Sequence, residues 1–253
     1  MLTSKSLILK HLFALWAGKG LGQGGSRGSP EGSPPPLWLR HLKEQPLLTD
    51  QFRNLKRHLQ SLKAAHGWKV FALAAPHRRA GVSTLVCNLG LLMSRDFLDQ
   101  RILLVDTCQQ HPALHLAFGL NLQPGLNDYL FDGLNLAQVS QGTFRANLEV
   151  VASGEATAEV ASPYDLRRFQ DFMEEARGHY DFVLVDCPPA FESSDAQAVG
   201  GQVDGLIVVA EANRLRYEVL QAYIKEMEKQ VRIVGGVLNK REYVIPDFLY
   251  RFV

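Results

Sequence analysis

Gly81-Val82-Ser83-Thr84 closes a loop between the apolar run at 69–75 and a helical stretch near 84–96. A glycine turn so placed binds phosphate: its amides cup the anion, a lysine neutralises the terminal charge, and Ser/Thr takes Mg²⁺. Gly81, Ser83 and Thr84 are therefore candidate nucleotide-binding residues, and Ser83 is also a candidate metal ligand. Val82 stands where the lysine belongs. Pro76 takes the first loop position without an amide to donate, and Arg78 and Arg79 fill an interior where small residues are usual. Either arginine could supply the missing charge, or both are solvated loop residues.

Two carboxylates sit at comparable places. Asp106 ends the apolar run 101–106, and Asp186 ends the run 181–186 before Pro188-Pro189. A carboxylate at the tip of a buried strand, beside a phosphate loop, can hold Mg²⁺ and its water. A lone Asp there would read as a turn cap; two around one loop read as an inherited metal site, with Ser83 as its hydroxyl ligand. Cys87, Cys108 and Cys187 show neither metal-ligand nor disulfide-framework spacing, which argues against redox or metal duty and for a reducing cytosol. His111 and His115 read as surface residues of a loop or short helix.

The elements that must position these residues are written in the hydrophobic pattern. Runs at 69–75, 101–106, 181–186, 204–210 and 232–238 (the last followed by Asn239) are short and nearly unbroken, as strands buried on both faces are. Helical stretches lie near 84–96, 163–178 and 214–230, and a further helix is expected over 48–65, with Phe52, Leu55, Leu59 and Leu62 on one face. Strands alternating with helices predict an α/β fold, a doubly wound, mostly parallel sheet with helices on both faces. Its ligand crevice should lie at the carboxyl ends of the strands.

The 253 residues divide into a segment at 1–47 and a globular domain at 48–253. The first joins an amphipathic stretch to a Gly/Ser/Pro-rich tether that cannot build a core. A net charge of +1 supplies no field for nucleic acid, and no apolar run reaches the roughly 18–20 residues of a spanning helix.

From Thr49 to the end, the chain resembles the bacterial tyrosine kinases (BY-kinases) of polysaccharide synthesis and export, relatives of the Min and Par partition ATPases. The resemblance rests on "TDQFRNLKRHL", "GVSTLVCNLG", "RILLVD", "HPALHLAFGLNLQPGLNDYLFDG", "YDFVLVDCPP", "VDGLIVV" and "GGVLNKREYVIPDFLYR", in that order. It implies a P-loop NTPase-like fold binding ATP or ADP with Mg²⁺, with Asp106 and Asp186 as catalytic and metal-binding acids and Asn239 at a base-contacting position.

The chain departs from the family where phosphate chemistry is done. The lysine is Val82, which leaves Mg²⁺ with ATP or ADP, or no cofactor at all, as the expectation, and the Asp-x-Asp-x-Arg motif reads Asp106-Thr107-Cys108-Gln109-Gln110. Of the tyrosine-rich tail, only Tyr243 and Tyr250 remain in the last fifteen residues. Asp50, Arg53 and Lys56 keep the signs and spacing with which the family docks one subunit's helix on the next, implying a homo-oligomer.

These features lead to an expectation of a catalytically degenerate, pseudokinase-like regulator of exopolysaccharide or capsule assembly. Its expected partners are a membrane chain-length co-polymerase and an active kinase paralogue, and its expected place is the cytoplasm at the inner face of the membrane. The alternatives are a weak tyrosine autokinase or ATPase and a Min/Par-like positioning protein.

Overall fold

The computed structural model describes residues 46–156, 163–191 and 193–240, with side chains from Gln51 onward. Expectations for the segment 1–45, for the side chain of Asp50 and for Tyr243 and Tyr250 lie outside the described residues.

Helix α1 (Pro46–His66) leads into β1 (Val70–Ala74), the 75–81 loop and α2 (Val82–Asp96), then β2 (Ile102–Asp106). Three short helices follow, α3 (Leu114–Phe118), α4 (Leu126–Phe131) and α5 (Leu136–Val139), before a hairpin of β3 (Ser140–Gly142) and β4 (Leu148–Val151). The chain continues through a 3₁₀ turn (Pro163–Asp165), α6 (Arg167–His179), β5 (Phe182–Asp186), α7 (Asp195–Gly200), β6 (Gly205–Glu211), α8 (Tyr217–Met227) and β7 (Ile233–Asn239).

All five strands expected from the apolar runs are present, each within about one residue of its expected limits. The helix expected at 163–178 is a 3₁₀ turn followed by α6. The strands form one sheet in the order β3-β4-β2-β5-β1-β6-β7, parallel except for the β3–β4 pair. This is the expected doubly wound architecture.

Alternate residues of each central strand feed opposite layers, as the pleat requires. Val70, Ala72, Val105, Val183 and Val185 face α4, α6 and α8, while Phe71, Leu73, Ile102, Leu104 and Leu184 face α1 and α2. Every residue of β1, β2 and β5 is buried. Burying one large aliphatic or aromatic side chain is worth about 1.5–3 kcal/mol, so these three strands form a stiff base for whatever projects from their ends. Helix α2 lies tight on that base: a Cβ on Gly90 would come 2.6 Å from Leu104 Cδ2.

Candidate functional site

The strand order brings the candidate residues together. β5 lies between β1 and β2, and the parallel register pairs Asp106 with Asp186 and Leu73 with Asp186. The two acids are therefore neighbours at adjoining strand tips, beside the loop that leaves β1. Thr107 locks this pairing, since its amide and hydroxyl both donate to the Asp186 carbonyl, at 3.0 and 2.7 Å. The Tyr164 hydroxyl in turn donates to the Thr107 carbonyl at 2.6 Å.

The two carboxylates differ in how they are satisfied. Asp106 Oδ1 accepts from the Cys108 amide at 2.9 Å, and its Oδ2 accepts from the amides of Ala113 (2.8 Å) and Leu114 (3.0 Å) at the start of α3. Asp186 is fully buried, yet neither of its oxygens has a hydrogen-bond partner. The Ser83 hydroxyl faces it and favours its ionised form, without the alignment of a hydrogen bond. Burial is the main force raising the Asp186 pKa well above the usual carboxylate range, and the Asp106 charge adds to it. Burial raises Asp106 as well, against the pull of its three amides. Burial and both carboxylates push the Cys108 thiol up too.

Asp186 lies at the floor of a cleft of about 1040 Å³ walled by the 77–83 loop, residues 108–113 and residues 187–189 with 193–195; Asp106, fully buried, is not part of the lining. Gly81 and Ser83 line it, whereas Thr84 and Asn239 do not. Gly81 adopts φ 96°, ψ 24°, a left-handed conformation natural to glycine, and hands the chain to α2. Arg79 takes the same region at φ 65° without glycine's freedom.

The loop is held from behind by the end of β7. Asn239 Nδ2 donates to the Ala80 carbonyl at 2.7 Å, and the Lys240 ammonium donates to the Arg79 carbonyl and pairs with Glu211 at 3.0 Å. Asn239, expected at a base-contacting position, thus spends its amide on the loop. Arg78 reaches across the cleft mouth to Gln110 (2.8 Å) and His111. His111 is on the surface as expected; His115 is not, being buried in α3, where burial lowers its pKa.

Lys56, expected to face another subunit, is committed within its own chain. Its ammonium pairs with Asp96 at 2.5 Å and lies 5.1 Å from the Phe97 ring centre. Helix α1 is thereby clipped to the end of α2. Asp50 and Arg53 share that helix, whose sequence span the structure confirms from Pro46 to His66.

One member of the floor escaped the spacing rules. Cys108 contributes a ligand-capable sulfur, and its Sγ and one oxygen each of Asp106 and Asp186 lie within 4.8 Å of one another. The available signal was its place in the Asp-x-Asp-x-Arg pattern, where Cys108 stands for the second acid.

A divalent cation suits this floor, because the orphaned Asp186 oxygens are the unmet half of a coordination shell beside the Ser83 hydroxyl. A nucleoside triphosphate suits the loop less well. At position 82 an apolar side chain replaces the cation that would meet its charge, and Pro76 has no amide to offer it.

The sheet order, the glycine loop at the head of α2 and the paired acids define a P-loop NTPase-like protein. Its relatives are bacterial tyrosine kinases. The chain is 25% identical to the tyrosine-protein kinase YwqD of Bacillus subtilis (strain 168) over 197 residues, covering 78% of this chain and 82% of that one. It is 24% identical over 171 residues to the tyrosine-protein kinase ptk of Acinetobacter johnsonii, covering 67% of this chain but only 23% of ptk.

Among solved structures, the BceF tyrosine kinase domain superposes with a TM-score of 0.73 at 23% identity, over 93% of this chain and 88% of that one. Cobyrinic acid a,c-diamide synthase of Mycobacterium smegmatis, with bound ATP analog and magnesium, shares the fold at a TM-score of 0.55 and 15% identity, over 68% and 74% of the two chains. No family model matches the chain.

Proposed function

We propose that this chain is a kinase-fold protein that does not transfer phosphoryl groups and regulates bacterial exopolysaccharide or capsule assembly through protein contacts. The observation that carries this reading is the loop, which has Val82 in place of its cation and is tied down by Asn239 and Lys240. Phosphoryl transfer is positioning and charge stabilisation, so one missing cationic contact costs several powers of ten in rate. The sheet and the acid pair remain as scaffold.

Its partners, on this reading, are a membrane chain-length co-polymerase and a complete kinase paralogue, met in the cytoplasm at the inner face of the membrane. No helix of the described residues is long and apolar enough to cross a membrane, so association there would be peripheral for this part of the chain. Asp50, Arg53 and Lys56 are the proposed oligomer contacts, with Lys56 exchanging Asp96 for a neighbour when a ring forms. Gly81, Ser83 and Thr84 are the remaining phosphate-side residues, and Asn239 serves the loop ahead of any base.

Calorimetric titration of MgADP and MgATP into the protein, with Val82→Lys alongside, tests the loop. The native chain should bind no tighter than the millimolar range, and the lysine should tighten binding by at least about tenfold, the effect of roughly 1.4 kcal/mol. Micromolar binding to the native chain would count against the proposal. The intact acid pair favours a second reading, a slow ATPase or tyrosine autokinase using Asp106 and Asp186, for which such binding would be the first sign.

A further inference from the structure

Cys108 changes what the acid pair is able to hold. Three of the four lone-pair sites of the Asp106 carboxylate are taken by backbone amides, leaving one on Oδ1. Asp186 is fully buried and has both oxygens without a partner. Neither acid forms an ion pair with a described residue, and the influences on Asp186 are burial, the Asp106 charge and the Ser83 hydroxyl. The cluster thus gathers two carboxyl groups and a thiol with no cation paired to either acid among the described residues.

Magnesium takes an octahedron of hard oxygen ligands and gains nothing from sulfur. Zinc accepts sulfur and carboxylate oxygen together in a tetrahedral set. Its bonds of about 2.3 Å to sulfur and 2.0–2.2 Å to oxygen place the ligand atoms roughly 3.5 Å apart. The ligand atoms of the Asp106–Cys108–Asp186 triangle already lie within 4.8 Å of one another, so each side needs to close by about 1.3 Å at most.

We propose that Asp106, Cys108 and Asp186 form a three-ligand site for Zn²⁺, with the fourth position open to water or the Ser83 hydroxyl, and that Cys108 turns the site away from Mg²⁺. On binding, the thiol proton and any proton held by the acid pair leave to solvent, and the ligands coordinate as thiolate and carboxylates. The site is independent of nucleotide, so its success or failure is separate from that of the loop reading.

The test uses the full chain, stripped of metal and without nucleotide, titrated with Co²⁺ as the spectroscopic stand-in for Zn²⁺. A sulfur-to-cobalt charge-transfer band should appear, saturate with a single equivalent, and be displaced by Zn²⁺ but not by a large excess of Mg²⁺. Cys108→Ser should remove the band and weaken Zn²⁺ binding by at least about tenfold, the loss seen even for groups that only support a ligand.

Cys87→Ser and Cys187→Ser should each keep the band; should Cys108→Ser fail to fold, this pair of proteins identifies the sulfur by elimination. Absence of the band, its persistence in Cys108→Ser, its loss in either of the other two variants, or displacement by Mg²⁺ at concentrations comparable to Zn²⁺ would overturn the proposal.

Discussion

Asp186 holds its proton more tightly in the folded chain than in the unfolded one, because burial and the neighbouring Asp106 both oppose its charge. The stability this lends is fully present below the unfolded pKa of about 4 and is lost as pH rises through the raised folded value. With metals removed by chelation, Asp186→Asn should therefore raise Tm at neutral pH and give little gain near pH 4. The shift should be roughly 2–4 °C for each kcal/mol relieved, and an unchanged Tm across that range would contradict the burial argument.

Gly81 is constrained from two sides, by φ 96° and by Asn239 Nδ2, which would lie 2.3 Å from an added Cβ. Gly81→Ala should cost about 1–3 kcal/mol in a denaturant titration, with strain and clash acting together. Asn239→Ala should recover part of that loss when combined with it, whereas strictly additive losses would show that the contact is irrelevant.

At the level of elements, Lys56 joins α1 to the end of α2 through Asp96 and the Phe97 ring. Burial alone would raise the Asp96 carboxyl, but hydrogen bonds from Arg95 and Lys56 outweigh it and hold the pKa below its ordinary value. The stability from this group is present above the unfolded pKa of about 4 and lost as pH falls through the lowered folded value. Lys56→Ala should cost about 1 kcal/mol at neutral pH, less in acid, as read from the denaturation midpoint.

The central strands were legible because each is a closed apolar run buried on both faces. The β3–β4 hairpin was not: "SQG" is polar and "LEVV" short, and neither alternates for long enough to be read. Helices α3, α4 and α5 span four to six residues, too few for a helical period to show. In the site, Asp106 and Asp186 were legible as strand tips. Cys108 was missed because its partners lie across the β2–β5 register, not along the chain. The grip of Asn239 on Ala80 spans 159 residues, a distance no local pattern reports.

At the scale of the whole molecule, a mostly parallel sheet carries a loop without its lysine beside two buried carboxyls that hold their protons more tightly than free ones. Deleting the protein from its cell should change the amount or chain length of the exported polysaccharide; unchanged polysaccharide would remove the pathway assignment while leaving the chemistry of the cleft untouched. The most direct measurement is incubation of the purified full chain with ATP and Mg²⁺, following phosphate release and phosphotyrosine together, with Asp106→Asn and Asp186→Asn as backgrounds. The account predicts native signals no higher than those of the two variants. Phosphate release or phosphotyrosine that disappears with Asp106→Asn would contradict it, and would make this chain a working kinase or ATPase without its lysine.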